Sequence, residues 1–241
     1  MAQSGTIEAV AFPGGIADSG GRHACLRCRL GRLVAIELEY GTVLWRSVEA
    51  LRPLVIAGDE VIALRTATPV SCVALALEGK SAGLERWASD PLPIPSWVEV
   101  GTPNPARFRI TAAVNGPSIV VNWRARARYR GGAAPSAAVL KQAARDDAGT
   151  VAIERSRGKV TMLAAPAGLE FPPEPGDGDG DAAPDTLEQA RIGARRYELV
   201  LDQGRNNVRT VLRARDAQTG ALAWETAIDE GPARPPGPLR P

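Results

Sequence analysis

Few residues of this 241-residue chain are spaced to do chemistry. The run Asp177-Gly-Asp-Gly-Asp-Ala-Ala-Pro-Asp-Thr-Leu-Glu188 has the length of a calcium loop. In it Asp177, Asp179 and Asp181 fall at positions one, three and five, Asp185 at nine, and Glu188 at twelve, the bidentate place. Calcium takes about six to eight hard oxygens, and these five carboxylates would supply most of them. Two departures weaken the match: Ala182 stands where the loop wants glycine, and Pro184 where it wants an apolar residue. Pro172, Pro173 and Pro175 also forbid a helix leading into it. The segment reads first as an acidic insertion and second as a weak calcium site. Calcium is the only cofactor candidate, and the leading expectation is none.

Arg124, Arg126, Arg128 and Arg130 alternate with Ala125, Ala127 and Tyr129. On a strand the four guanidiniums share one face at intervals of roughly 6.7 Å, twice the rise per residue. Four such cations repel unless acids or solvent screen them, so the row is either a solvated outer strand or an anion-binding one. Sequence-specific nucleic-acid reading is not expected, because the aromatic residues lie on the opposite face. His23-x-Cys25-x-x-Cys28 has metal-binding residue types, but on a strand Cys25 and Cys28 point to opposite faces. With three cysteines and one histidine in all, the expected state is free thiols. No phosphate loop, nucleophile elbow or catalytic triad is present.

Composition bounds what can hold these residues. Hydrophobic residues are 44% and charged residues 23%, enough for a packed core. Only three of the 29 cations are lysines, which points to coding bias, and a net charge of +2 argues for no nucleic-acid partner. No apolar run is long enough to span a membrane as a helix. Met-Ala-Gln-Ser-Gly lacks the features of a signal peptide, so a cytoplasmic location is expected.

Internal repeats organise the chain. Ala214, Asp216, Gly220 and Trp224 stand at steps of two, four and four, with Thr219 before the glycine. Ala35, Glu37, Gly41 and Trp45 repeat those steps. A third copy is read at Ala143, Gly149 and Ile153, with Arg145 at the acidic position and isoleucine in place of tryptophan. A fourth keeps Gly83 and Trp87, with Leu77 and Gly79 at the other anchors. Physically, a strand enters a tight turn whose glycine takes a positive φ, and a second strand leaves it. The tryptophan, four residues on, packs against a neighbouring sheet.

The pattern Ala-x-Asp-x-x-Thr-Gly-x-x-x-Trp at 214–224 resembles the tryptophan-docking repeat of pyrroloquinoline-quinone-type β-propellers. The resemblance implies that each repeat closes a four-stranded blade and that its tryptophan packs between adjacent blades. Enzymes of that family hold the quinone with calcium in a much longer chain, and some carry an adjacent-cysteine disulfide. This chain has no Cys-Cys pair. The resemblance therefore extends to the architecture and not to a dehydrogenase site.

The expectation is an all-β, small β-propeller-like domain of four blades, each of about four antiparallel strands. Blade one uses Thr6–Phe12, His23–Leu30, Leu33–Leu38 and Thr42–Val48. Blade two uses Leu54–Ala57, Glu60–Leu64, Cys72–Leu77 and Leu84–Ala88, with a two-residue turn at Gly58-Asp59. Blade three uses Phe108–Val114, Ile119–Tyr129, Ala138–Ala144 and Thr150–Glu154. Blade four uses Val160–Ala164, Tyr197–Asp202, Val208–Arg215 and Leu222–Ile228. The domain covers 1–230 with a loop insertion at 169–187, and a proline-rich disordered tail follows at 231–241. A closed monomer is favoured over a half-ring that pairs into a homodimer. The expected function is a non-catalytic scaffold that binds an unidentified protein partner. The rivals are an enzyme using carboxylates or a metal in the central channel, and a weak calcium- or anion-responsive binding module.

Overall fold

Short runs of alternating or continuous apolar residues separated by glycine turns build strands. The computed structural model describes residues 9–28, 31–98, 100, 107–126, 145–164, 189–203 and 207–232. These form sixteen strands and, among the described residues, no helix. The chain divides into two compact units.

The unit of Ala9–Pro53 and Glu174–Pro241 holds the first and last blades. Strands β1 (Ala9–Phe12), β2 (Gly15–Asp18), β3 (His23–Arg27), β4 (Arg32–Glu37) and the start of β5 (Thr42–Ala57) pair antiparallel in sequence order. The last blade has the order β13 (Gln189–Ile192), β14 (Arg195–Gln203), β15 (Asn207–Asp216) and β16 (Leu222–Pro232). β3 and β4 are buried on both faces, and their apolar side chains meet those of the last blade. Phe12, Leu26, Leu38, Tyr197, Leu212 and Ile228 form this core. The Phe12 and Tyr197 rings lie 5.1 Å apart, and the Tyr197 and Trp224 rings 5.9 Å apart, both tilted as aromatic pairs prefer.

The unit that includes Leu54–Pro173 holds the middle blades. The end of β5 turns at Gly58-Asp59 into β6 (Glu60–Arg65), followed by β7 (Ser71–Ala76) and β8 (Glu85–Ala88). The next sheet has the order β12 (Val160–Leu163), β11 (Asp146–Glu154), β10 (Ser118–Arg126) and β9 (Arg107–Asn115). β10 buries Ile119, Val121, Trp123 and Ala125 and turns Ser118, Val120, Asn122 and Arg124 the other way, which is the alternation read from the sequence. Between the two sheets the proline-rich connection packs down through Leu92 and Val98.

Four boundaries differ from expectation. β5 is one sixteen-residue strand where two were read: Pro53 sits inside it without ending it, and the strand pairs with β4 on one side and β6 on the other. β2 and β13 were missed; each is four residues long and is recruited by hairpin pairing, at Phe12↔Gly15 and Ile192↔Arg195. Val160–Leu163 belongs to the third blade and not the fourth, since it pairs with Thr150–Ile153. Finally, β16 continues through Gly231 and Pro232, two residues assigned to the tail. The expected strand 138–144 and the insertion 169–187 lie outside the described residues.

Candidate functional site

The repeat turns are the best-defined local geometry in the chain. At Glu37, Glu154 and Asp216 the carbonyl accepts a hydrogen bond from the amide of the glycine four residues on: Gly41 at 3.0 Å, Gly158 at 2.8 Å and Gly220 at 2.9 Å. All three glycines have φ between 69° and 75°, where a Cβ would clash with its own backbone. The carboxylates tie down the turns between. Asp216 Oδ1 accepts from the Gln218 amide at 3.0 Å, the Thr219 amide at 2.7 Å and the Thr219 hydroxyl at 2.9 Å. These bonds, with Thr219 contributing most, hold the Asp216 carboxyl below its ordinary range. Glu37 accepts from the amides of Glu39 and Tyr40 at 2.8 and 2.9 Å, and Glu154 from the Ser156 hydroxyl at 2.6 Å.

This geometry corrects the third repeat. Gly149 lies inside β11 opposite Trp123, without a positive φ, and a Cβ on it would stand 2.7 Å from the indole. Its glycine serves the close approach of a ring, not a turn. Ile153 is a fully buried core residue of β11 and does not take the tryptophan's place. The true copy is Ala152, Glu154, Gly158 and Met162, with the same steps of two, four and four. The signal was present in the sequence but hidden, because a methionine replaces the tryptophan used to find it. Ala143 lies outside the described residues. Gly83 does take a positive φ, but its amide bonds to the Ala76 carbonyl across a longer turn.

Two turns are docked by a neighbouring blade within their own unit. Trp224 lies across Gly41, where a Cβ would stand 2.5 and 2.6 Å from the ring carbons Cε3 and Cδ2. Trp224 Nε1 donates to the Leu38 carbonyl at 3.2 Å, and the Thr226 hydroxyl donates to the Gly41 carbonyl. Arg195 closes the same turn from β14 by donating to the Leu38 and Glu39 carbonyls. In the other unit Gly158 abuts the Ala88–Ser89 backbone, one residue past Trp87, and the Asp90 amide donates to its carbonyl at 2.9 Å. Arg155 there donates to Glu60 Oε1 through Nε at 2.9 Å and to the Ala57 carbonyl at 3.1 Å. Glu60 is buried, and Arg86 stands 3.8 Å from its second oxygen. Charge pairing thus replaces part of the tryptophan's hydrogen bonding. The Trp87 and Trp123 Nε1 atoms are buried and have no partner among the described residues. Sequence reasoning missed Glu60, Arg155 and Arg195, since long-range ion pairing leaves no spacing signature.

The other candidates fall into place unevenly. Arg124 grips Asp146 through Nε at 2.8 Å and Nη2 at 2.7 Å, and Arg126 adds a 2.8 Å bond through Nε. Arg124 most, then Arg126, pushes the Asp146 carboxyl down to about 2. The described part of the arginine row is therefore screened by an acid, one of the outcomes its spacing demanded. Arg128 and Arg130 lie outside the described residues. So do Asp177, Asp179, Asp181, Asp185 and Glu188, the whole calcium-loop candidate. Among the described residues no group of three or more His, Cys, Asp or Glu side chains is placed to hold a metal. Cys25, Cys28 and Cys72 are free thiols. Burial pushes the Cys25 thiol up, with the charge of Asp18 adding to it, and burial alone lifts Cys72 to about 12. His23 Nδ1 is 3.4 Å from Asp18 Oδ2, and the same carboxylate accepts from the backbone amides of Arg22 and His23. That group caps a turn.

No family model matches the chain, and no curated protein matches it. Among solved structures it is similar to BamB from Moraxella catarrhalis, with 15% identity and a TM-score of 0.39. The likeness covers 90% of this chain and 64% of that structure, so the chain spans less than two thirds of its length.

Proposed function

We propose that this chain is a non-catalytic propeller-type scaffold whose outer strands bind another protein. One observation carries the reading: large apolar side chains stand exposed at the last strand of each blade. Val48 on β5 is 96% exposed, Leu84 just before β8 62%, Met162 on β12 58% and Leu222 at the head of β16 52%. Two such side chains on the last strands of each unit, Val48 and Leu222 in one and Leu84 and Met162 in the other, mark that unit's outer strands as interaction surface more than scattered ones would. The acids and bases described above support the same reading, because they hold turns and blades together and so serve the scaffold. A cytoplasmic location is part of the proposal.

The test is affinity capture with the wild-type chain and with a variant carrying Val48→Glu, Leu84→Glu, Met162→Glu and Leu222→Glu. All four positions are exposed, so the variant should keep its melting temperature. A partner that the wild type recovers and the variant loses would support the scaffold reading. Equal recovery by both, or none by either, would overturn it.

A further inference from the structure

One connection in the unit that includes Leu54–Pro173 does more than join two sheets. Residues 89–98, between β8 and β9, run from the second blade onto the third and are tied to both. The near half is held through its backbone. Ser89 donates its amide to the Cys72 carbonyl at 2.7 Å, and its hydroxyl oxygen accepts from the Cys72 amide at 2.9 Å. The Asp90 amide donates to the Gly158 carbonyl at 2.9 Å, and the Asp90 carboxylate accepts from the Val160 amide at 3.2 Å. The Leu92 amide donates to the Val70 carbonyl at 2.8 Å, and the Leu92 side chain is buried.

The far half, 93–98, is held differently. Pro93 and Pro95 have no N–H to give. Among the described residues its amides bond only within the connection, Ile94 to the Leu92 carbonyl at 2.8 Å and Val98 to the Pro95 carbonyl at 2.9 Å. Side chains fasten it instead. Val98 is buried, and the half-buried Trp97 reaches β11, where its Nε1 donates to Asp147 Oδ2 at 2.9 Å. The Arg145 guanidinium lies 5.8 Å from the centre of the Trp97 ring, within cation–π reach. One indole thus meets an anion at its N–H edge and a cation over its face.

A segment whose main chain makes no bond to a strand opens without breaking sheet pairing, at a fraction of the cost of unfolding. We infer that 93–98 is a strap that opens and closes on the folded unit, with 89–92 as its anchor and Trp97 as its latch. Opened, it bares Val98 and the Trp97 ring and releases Asp147 and Arg145. A surface absent from the closed state then appears with every strand in place. The device is independent of the scaffold reading, since it involves none of Val48, Leu84, Met162 and Leu222.

Hydrogen exchange of the full chain, resolved by NMR at urea concentrations below unfolding, tests the inference. In the wild type the Trp97 indole N–H and the Val98 amide should exchange about a hundredfold or more faster than the amides of β7. Their rates should not change with urea, because local opening exposes little surface, whereas the β7 rates should rise. Trp97→Phe keeps a ring beside Arg145 but loses the indole bond, so Val98 exchange should quicken about tenfold while β7 and β10 keep their rates. Asp147→Asn keeps an oxygen acceptor and should quicken it less. Indole and Val98 protons as slow as those of β7, or rising with urea alongside them, would overturn the inference. So would a Trp97→Phe protein whose Val98 exchange is unchanged, or in which β7 quickens equally. The first comparison uses the wild type alone and decides the matter even where a variant folds poorly.

Discussion

Substituting Gly41 and Gly220 by alanine, one at a time, separates the cost of a backbone conformation from the cost of blade docking. The two glycines have nearly the same φ, 75° and 73°, and belong to the same compact unit. Alanine in the left-handed region costs about 1–2 kcal/mol at either position. At Gly220 the conformational cost stands alone, because among the described residues the new methyl meets nothing within 4 Å. At Gly41 the methyl would stand 2.5–2.6 Å from Trp224 ring carbons and 2.8 Å from the Thr226 hydroxyl oxygen. Those ring atoms are the body of a rigid side chain, so the indole must move. Overpacking of this kind costs about 1–3 kcal/mol. Displacing the ring also breaks the Nε1 bond to the Leu38 carbonyl, adding about 1 kcal/mol. Gly41→Ala should therefore destabilise by about 3–6 kcal/mol and Gly220→Ala by about 1–2 kcal/mol. Urea unfolding followed by tryptophan fluorescence measures both. Equal losses for the two variants would refute the docking argument. So would a Gly41→Ala protein whose native tryptophan emission is unchanged.

Other expectations follow from the same contacts. Trp224→Ala should cost toward the low end of about 3–5 kcal/mol, because the ring is half-buried, and Trp224→Phe about 1 kcal/mol for the lost hydrogen bond; denaturant midpoints decide both. Arg155→Met leaves the buried Glu60 carboxylate, among the described cations, with the more distant Arg86, and thermal unfolding should show a loss of about 3 kcal/mol that Glu60→Gln, Arg155→Met together partly restores. Folding favours ionised Asp146, so its contribution is complete above the ordinary carboxylate value of 3.8 and fades as pH falls toward about 2. Asp146→Asn should flatten the acid-stability profile in that window by less than about 1 kcal/mol, because the pair is exposed and salt screens it. Thiol labelling of the native protein should modify the half-buried Cys28 first and leave Cys25 and Cys72 until each unit opens; rapid labelling of all three would contradict their burial.

Much of the fold was legible because it is local. Strand β10 follows from the alternation of Ile119, Val121, Trp123 and Ala125, and the hairpin at Gly58-Asp59 from its two-residue turn. The repeats at 35–45 and 214–224 were found because a glycine forced to positive φ, a carboxylate that caps the turn and a tryptophan leave a fixed spacing. The third repeat was misplaced because Gly149, which makes room for the Trp123 ring, looks in sequence like a turn glycine. Only the register of β11 against β10 and β12 distinguishes the two. The chemistry-bearing candidates fared differently: the spacing raised the screening of the arginines, but the acid that Arg124 and Arg126 bond, Asp146, is twenty residues beyond Arg126 and gave no local signal.

By itself the sequence determined the all-β class, the repeat unit and the residues whose backbone or capping role is set within a few positions. Those properties depend on φ, on period-two alternation and on short-range hydrogen bonds, which act between neighbours in the chain. Tertiary structure alone decided which turns are covered. Asp216-to-Gly220 is the best copy of the motif, yet its glycine is the exposed one, while the altered copy ending at Met162 has its glycine buried. Whether a turn is covered depends on which strand lies over it, and that strand can be separated by more than 180 residues, as Trp224 is from Leu38. Packing between distant segments leaves no periodicity to read, so the cover over Gly41 and Gly158 is visible only in the folded chain.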